Sequence, residues 1–261
     1  MSNPRERVRQ QIEVLRQAGV EWLGQAPPLP ESALVNLFAG IEDEPPPIDD
    51  INDRRQALDL LSGAVSRCVL CSELVSTRTQ TVFGVGPLNP EICFVGEAPG
   101  ADEDRLGEPF VGAAGQMLNR ILLACGIKRE TVYICNILRC RPPGNRQPKP
   151  EECSNCRQHL ERQLELVRPQ SICCLGAIAA SNLLQTKLTL GRLRGKFHDY
   201  RGIPVICTYH PASLLPGRNP QWKKEVWEDM KMLLTHLGKP IPKPTSAKAD
   251  SPADDQSSDG A

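Results

Sequence analysis

Apolar positions between residues 90 and 240 follow two alternating patterns. Short runs rich in Val, Ile and Cys predict four strands, at residues 92–97, 132–140, 171–176 and 203–210. Segments with apolar residues at helical spacing predict helices at residues 115–125, 151–167, 177–184 and 220–237. Alternation of this kind predicts an α/β protein with a three-layer α/β/α fold, in which helices cover both faces of a central, mostly parallel four-stranded sheet.

Polar side chains stand at or just after the ends of these predicted strands. Glu97 closes the first strand and Glu103 follows it, Asn136 lies in the second, and His210 ends the fourth. In a parallel sheet, ligands bind beyond the carboxyl ends of the strands. We therefore expect these four side chains to converge at one edge of the sheet and to form a site there.

The composition changes on both sides of this region. Residues 1–26 carry Val8, Ile12 and Leu15 at helical spacing and predict an amphipathic helix, which we expect to pack on the domain or to bind a partner protein. Residues 27–53 mix proline clusters with Asp and Glu and predict an acidic linker. Residues 240–261 lack large apolar side chains and predict a disordered tail. One folded domain is expected over residues 54–239.

A net charge of zero hides an uneven distribution of charge. Residues 1–53 carry 4 basic and 10 acidic side chains, whereas residues 54–240 carry 25 basic and 17 acidic ones. A basic core between acidic ends favours binding to a polyanion, although an ordinary solvated surface explains such an excess equally well.

Membrane insertion and secretion are not expected. The sequence has no run of 18 apolar residues and no apolar signal core near Met1. It has 11 cysteines, and an odd number fits a disulfide scaffold poorly. We expect a cytoplasmic monomer with reduced cysteines, a setting in which clustered thiols usually bind metal.

Five cysteines have the spacing of metal ligands. Cys68 and Cys71 form one C-x2-C pair, Cys153 and Cys156 form another, and Cys140 precedes them. One set of four thiolates combines Cys140 with Cys68, Cys71 and Cys156. A competing zinc site uses Cys153 in place of Cys140. A third interpretation is that these are ordinary reduced cysteines. The other six are expected in the core: Cys93, Cys125, Cys135, Cys173, Cys174 and Cys207.

Several motifs in a fixed order resemble one enzyme family. They are Gly96-Glu97-Ala98-Pro99-Gly100, the Pro-Phe-Val-Gly of residues 109–112, Asn136-Ile-Leu-Arg-Cys140, and His210-Pro211. Across residues 62–237 the sequence is similar to the family 4 uracil-DNA glycosylases, the iron–sulfur-containing class. The resemblance implies a DNA repair hydrolase that flips uracil out of single- or double-stranded DNA. It then hydrolyses the N-glycosidic bond with water as nucleophile, leaving an abasic site for base excision repair.

The same resemblance implies a role for each pocket residue. Phe110 stacks on uracil, the Asn136 amide pairs with its Watson–Crick edge, and His210 donates to uracil O2 as charge develops. Glu97 and Ala98 make main-chain contacts in the pocket, and the Glu97 side chain helps to orient the water. Glu103 is the pocket carboxylate, which excludes thymine or helps to place water.

The resemblance also implies a cofactor and DNA contacts. Cys68, Cys71, Cys140 and Cys156 match the ligands of a structural [4Fe–4S] cluster, and Cys153 is left over. The cluster then ties the segment before the first strand to the loop after the second and presents Arg139, Arg141 and Arg146 to phosphates. After His210, Leu214 or Leu215 is the expected wedge that fills the gap left by the flipped base, and Arg218 is an expected phosphate contact.

Two other functions remain open at this point. The first alternative is a non-catalytic, metal-cluster module that only binds nucleic acid. The second is a glycosylase for another deaminated base such as hypoxanthine. We also expect that residues 1–26 recruit a replication or repair protein.

Overall fold

The computed structural model of the protein describes residues 50–242. The predicted amphipathic helix and nearly all of the predicted linker and tail lie outside these described residues. Binding of a replication or repair protein by residues 1–26 therefore stays a prediction. No helix in the described part is long and apolar enough to cross a membrane.

The described chain is built around one five-stranded sheet. Its strands are β1 (Ile92–Gly96), β2 (Tyr133–Asn136), β3 (Ser171–Leu175), β4 (Phe197–Tyr200) and β5 (Ile203–Thr208). They lie in the order β2-β1-β3-β5-β4, and only β4 runs antiparallel to its neighbour. The mostly parallel sheet is confirmed, but the prediction of four strands is wrong.

The unpredicted strand, β4, is a short and largely polar edge strand. Its His198 and Asp199 interrupt the apolar pattern, and it is paired on one side only, through β5. Arg201 and Gly202 form the connecting turn, with φ of 52° and 82°. Two consecutive positive φ angles are typical of a tight hairpin turn. The residues of the turn therefore indicated this hairpin better than the residues of β4 did.

Eight α-helices lie within the described residues. They are α1 (Ile51–Ser66), α2 (Ser72–Thr77), α3 (Ala101–Leu106), α4 (Ala113–Ala124), α5 (Pro150–Val167), α6 (Ala177–Leu183), α7 (Leu190–Leu193) and α8 (Gln221–His236). The Asp50 carboxylate caps α1 by accepting from the main-chain N–H groups of Asn52 and Asp53. Helix α1 thus begins three residues before the expected domain start at residue 54.

The two faces of the sheet bury separate apolar clusters. Cys93 and Val95 of β1 face one cluster, with Leu164 of α5 and Ala180 of α6. Ile92 and Phe94 face the other, which contains Leu118 of α4 and Leu233 of α8. Side chains alternate along a strand, so β1 supplies both cores and the three-layer α/β/α arrangement is confirmed. The six cysteines expected in the core are buried.

The carboxyl ends of four parallel strands meet at one edge of the sheet. The chain passes from β1 to β2 on one side and then returns to β3 on the other side of β1. Such a reversal opens a crevice beyond the strand ends, where α/β proteins bind ligands. Gly96, Asn136 and the segment after Thr208 all lie at this edge.

Candidate active site at the sheet edge

Gly96, at the end of β1, lies against the Asn136 amide and the Phe110 ring. It lies opposite Asn136 in the parallel register. A methyl group on Gly96 would overlap Asn136 Oδ1 and would lie 2.6 Å from the Phe110 ring. Only glycine therefore fits between them. Asn136 is 2% exposed, and its Oδ1 has no hydrogen-bond partner among the described residues. A buried acceptor of this kind is suited to a ligand that carries an N–H group.

The Phe110 ring is held by a constrained turn. Its φ of 55° is unfavourable for a side chain of this size, so the surrounding structure must stabilise it. Glu103, which is 8% exposed, accepts from the main-chain N–H groups of Gly100 (3.1 Å), Val111 (3.0 Å) and Gly112 (2.9 Å). Oε1 of Glu103 thus holds the turn that carries Phe110, and Oε2 caps the start of α3.

His210 faces Phe110 across the site, with 5.6 Å between the ring centroids. The main-chain N–H of Ala212 donates to Nδ1 of His210 (3.2 Å), so the ring proton belongs on Nε2. Burial lowers the pKa of the imidazole to about 4, although the nearby Glu103 carboxylate acts in the opposite direction. His210 is therefore a neutral donor at physiological pH.

Glu97, directly after β1, supplies a half-buried carboxylate. Burial raises its pKa, and its carboxylate has no hydrogen-bond partner among the described residues. The main chain around it is fixed, because Leu138 N–H donates to the Glu97 carbonyl (3.0 Å). Ala98 follows and packs against the core. The sheet edge thus brings together Glu103, Phe110, Asn136 and His210, and Glu97 is placed there by its main chain.

A second feature is a cavity lined by four cysteines. Its walls include Cys68, Cys71, Cys140 and Cys156. The segment between α1 and α2, the loop after β2, and α5 supply these residues. Cys153 is buried and does not line the cavity.

Nitrogen donors surround the cysteine cavity. Arg78 Nη1 donates to Cys140 Sγ (3.0 Å), and its Nη2 donates to the Cys68 carbonyl (2.9 Å). Asn155 Nδ2 lies 3.6 Å from Cys71 Sγ. His159 also lines the cavity, and its buried Nε2 has no hydrogen-bond partner among the described residues. Donors placed around sulfur atoms stabilise thiolates.

A single metal ion and an iron–sulfur cluster need different distances between their sulfur ligands. Within the described chain, no three His, Cys, Asp or Glu side chains are grouped closely enough to hold a single metal ion. A tetrahedral zinc site needs sulfur atoms about 3.8 Å apart, as its bond lengths require. In a [4Fe–4S] cluster each thiolate binds a different iron, so the ligands stand farther apart. Four cysteines around one cavity, with nitrogen donors beside them, form a donor set of the kind that holds an iron–sulfur cluster.

Comparison with known proteins identifies the family. The model of the uracil DNA glycosylase superfamily matches residues 83–231. A type-4 uracil-DNA glycosylase of Archaeoglobus fulgidus is 45% identical over 195 residues, which cover 72% of this chain and 96% of that protein. The chain belongs to the type-4 uracil-DNA glycosylases. The type-4 enzyme of Thermotoga maritima is 41% identical over 188 residues and is covered to 97%.

Another class of the superfamily is less similar. A type-5 uracil-DNA glycosylase of Pyrobaculum aerophilum is 33% identical over 179 residues, which cover 56% of this chain and 79% of that protein. The type-4 assignment therefore agrees with the resemblance found in the motifs.

In this type-4 chain, the three arginines expected to contact phosphates differ in their burial and in their ion pairs. Arg139 is 1% exposed, so the expectation that it reaches phosphates is wrong. Arg146 pairs with Glu152 (2.6 Å) and Glu73 (3.2 Å), and its charge is largely compensated. Arg141 remains partly exposed and donates from Nε to Asn145 Oδ1 (2.7 Å).

The loop after His210 resolves one open choice. Leu214 is 2% exposed and packs in the core with α4 and α8, so it is not available as a wedge. Leu215 is partly buried at the edge of the same cluster, and Arg218 is exposed. DNA contact by Leu215 and Arg218 stays a prediction.

Sequence reasoning missed the residues that support these two sites. Arg78 stands 62 residues before Cys140, its sulfur partner, so no local pattern could join them. The fit of Gly96 against Asn136 and Phe110 likewise needs the strand register. Its place in the Gly96–Gly100 motif was the available signal.

Proposed function

We propose that the chain is a monofunctional uracil-DNA glycosylase that flips uracil from DNA and hydrolyses its N-glycosidic bond. The observation that carries the proposal is the unpartnered Asn136 Oδ1, buried beside the Phe110 ring and close to Gly96. Uracil N3–H satisfies this acceptor, and uracil O4 accepts from the amide nitrogen. Cytosine has an acceptor at N3 and an amino group at C4, and would leave buried groups unpaired.

His210 acts on the departing base. Cleavage leaves negative charge on uracil, and a donor aimed at O2 stabilises that charge more strongly in the transition state than in the ground state. A neutral imidazole whose Nε2 carries the proton supplies this donor. Phe110 provides the face on which the flipped ring stacks.

Glu97 acts on the sugar side of the bond. Its half-buried carboxylate is free to accept from a water molecule and to orient it towards the C1′ carbon. Negative charge at this place also favours the developing sugar cation. Water is therefore the nucleophile. Glu103 positions the Phe110 turn, because its oxygens are already bonded to three main-chain N–H groups. Ala98 contributes main-chain contacts.

We assign a [4Fe–4S] cluster to Cys68, Cys71, Cys140 and Cys156, the four cysteines that line the cavity. When bound, the cluster supplies a covalent cross-link and no step of the hydrolysis. It ties the segment between α1 and α2 to the loop after β2 and to α5. Arg78 and Asn155 hold the sulfur atoms from outside.

DNA contacts are assigned to residues around the mouth of the site. Leu215 fills the space left by the flipped nucleotide, and Arg218 and Arg141 contact phosphates. All three are at least partly exposed. The product is DNA with an abasic site, which enters base excision repair.

The test uses end-labelled single- and double-stranded DNA with one uracil, followed by hot alkali to cut abasic sites. We expect cleavage at uracil, none at thymine, and loss of cleavage in Asn136→Ala. Asn119→Ala, which changes an exposed asparagine on α4, is the matched control. DNA binding without base release would support the non-catalytic module instead. Release of hypoxanthine in preference to uracil would assign the pocket to that base.

A further inference from the structure

Arg139 carries a buried charge that no carboxylate neutralises. It is 1% exposed, and within the described residues it forms no ion pair and its Nε has no hydrogen-bond partner. Nη1 donates to the main-chain carbonyl of Asn136, and Nη2 donates to Gln163 Oε1. Burial of a charge is very unfavourable unless an opposite charge or a full set of hydrogen bonds compensates it.

The cysteine cavity is one place from which negative charge can reach Arg139. Arg139 lines that cavity together with Cys68, Cys71, Cys140 and Cys156. Four thiolates around an iron–sulfur core make a net anion, since their charge exceeds that of the core. A bound cluster would therefore supply negative charge on the cavity side of Arg139.

The guanidinium also contacts the base pocket, which is the site formed by Gly96, Phe110, Asn136 and His210. The carbonyl that accepts from Nη1 belongs to Asn136, whose side chain lies against Phe110 and Gly96. Gln163 is itself fixed, because its Nε2 donates to Phe83 O (2.9 Å) and to Tyr133 Oη (2.8 Å). A guanidinium can hold two acceptors at once in a planar arrangement, which a lysine cannot do.

We propose that Arg139 is a positioning residue that couples the cluster site to the base-reading Asn136. The anionic cluster holds the guanidinium, and the guanidinium fixes the main chain that carries the Asn136 amide. This inference rests on the proposed function and deepens it, because it gives the cluster a role in the placement of a pocket residue without a role in the hydrolysis.

The experiment compares Arg139→Gln and Arg139→Lys with wild type, all loaded with cluster. Arg162→Gln is the control, since Arg162 is an exposed arginine on the same helix as Gln163. Three quantities are measured: the single-turnover rate of uracil release, the affinity for uracil-containing DNA, and the reduction potential of the cluster.

The two variants separate the effect of the Arg139 charge from the effect of its hydrogen-bond geometry. In Arg139→Gln we expect a more negative potential, because loss of a nearby cation disfavours the reduced cluster. We also expect uracil release to slow about 10-fold or more with DNA affinity changed less than about twofold, since the amide is misplaced. Arg139→Lys should keep a potential near that of wild type and still release uracil slowly. Arg162→Gln should match wild type in all three.

The outcomes that overturn the inference are distinct. An unchanged potential in Arg139→Gln would remove the charge link, and wild-type release would remove the link to Asn136. If Arg139→Gln does not fold, Arg139→Lys decides, because wild-type release in that variant overturns the coupling. Failure of wild type to release uracil would instead refute the proposed function, and the potential of Arg139→Gln would still test the charge link.

Discussion

The base pocket and the cysteine cavity are built in different ways. The pocket stands at the ends of hydrogen-bonded strands, where the register places Gly96 opposite Asn136. The cavity is assembled from the segment between α1 and α2, the loop after β2, and α5. Backbone pairing fixes the pocket even without a ligand, whereas the cavity holds together through side chains and through what its thiolates bind. The two sites should therefore fail in different ways.

Gly96→Ala should separate the sites most strongly. The added methyl group overlaps Asn136 Oδ1 and the Phe110 ring, so both are displaced. We expect uracil release to fall at least about 100-fold, measured in single turnover, while bound iron per chain is unchanged. Gly191→Ala is the control, because a methyl group there meets nothing within 4 Å. Equal release by both variants would show that the pocket tolerates this crowding.

Cys140→Ala should damage the cavity first. We expect loss of bound iron and of about 3 kcal/mol of stability or more, which lowers the Tm by roughly 6–12 °C. Cys153→Ala, in the buried cysteine that does not line the cavity, should keep its iron. Iron analysis and thermal melts check this. Loss of metal from Cys153→Ala but not from Cys140→Ala would show that Cys153, and not Cys140, is the metal ligand.

Acid should act on the pocket through His210. Burial lowers its pKa from 6.5 to about 4, so between these values the unfolded chain binds a proton that the folded chain does not. Stability is therefore lost as the pH falls from 6.5 towards 4. At pH 5 the loss is about 2 kcal/mol relative to pH 7. Thermal melts at both pH values should show a smaller difference for His210→Asn than for wild type. Equal differences would contradict the buried neutral imidazole.

The pocket was more predictable from sequence than its supports. Asn136 and His210 stand at the ends of apolar strands, and parallel strand ends share an edge, so pattern alone brought them together. Strand β4 was missed because its His198 and Asp199 break the apolar run at a sheet edge. Its pairing with β5 depends on the turn at Arg201.

Burial of single residues in loops was the least predictable property. Arg139 stands in a basic stretch that looks like surface, yet it is enclosed beside the cysteine cavity. Leu214 follows a catalytic motif and looked available for DNA, but it packs on α4 and α8. In both cases distant segments decide the environment, and a local pattern holds no information about them.

The smallest effect is expected for Arg78→Gln, which sharpens the contrast between the two sites. Arg78 donates to Cys140 Sγ and to the Cys68 carbonyl, and it has no contact with the pocket among its described hydrogen bonds. Loss of these bonds should cost about 1–2 kcal/mol and should speed the loss of iron to a chelator. Uracil release by protein that still holds its cluster should match wild type, because Arg78, unlike Arg139, does not touch the Asn136 main chain. Slow release by this loaded variant would show that the cavity as a whole, and not Arg139 alone, positions the base-reading amide.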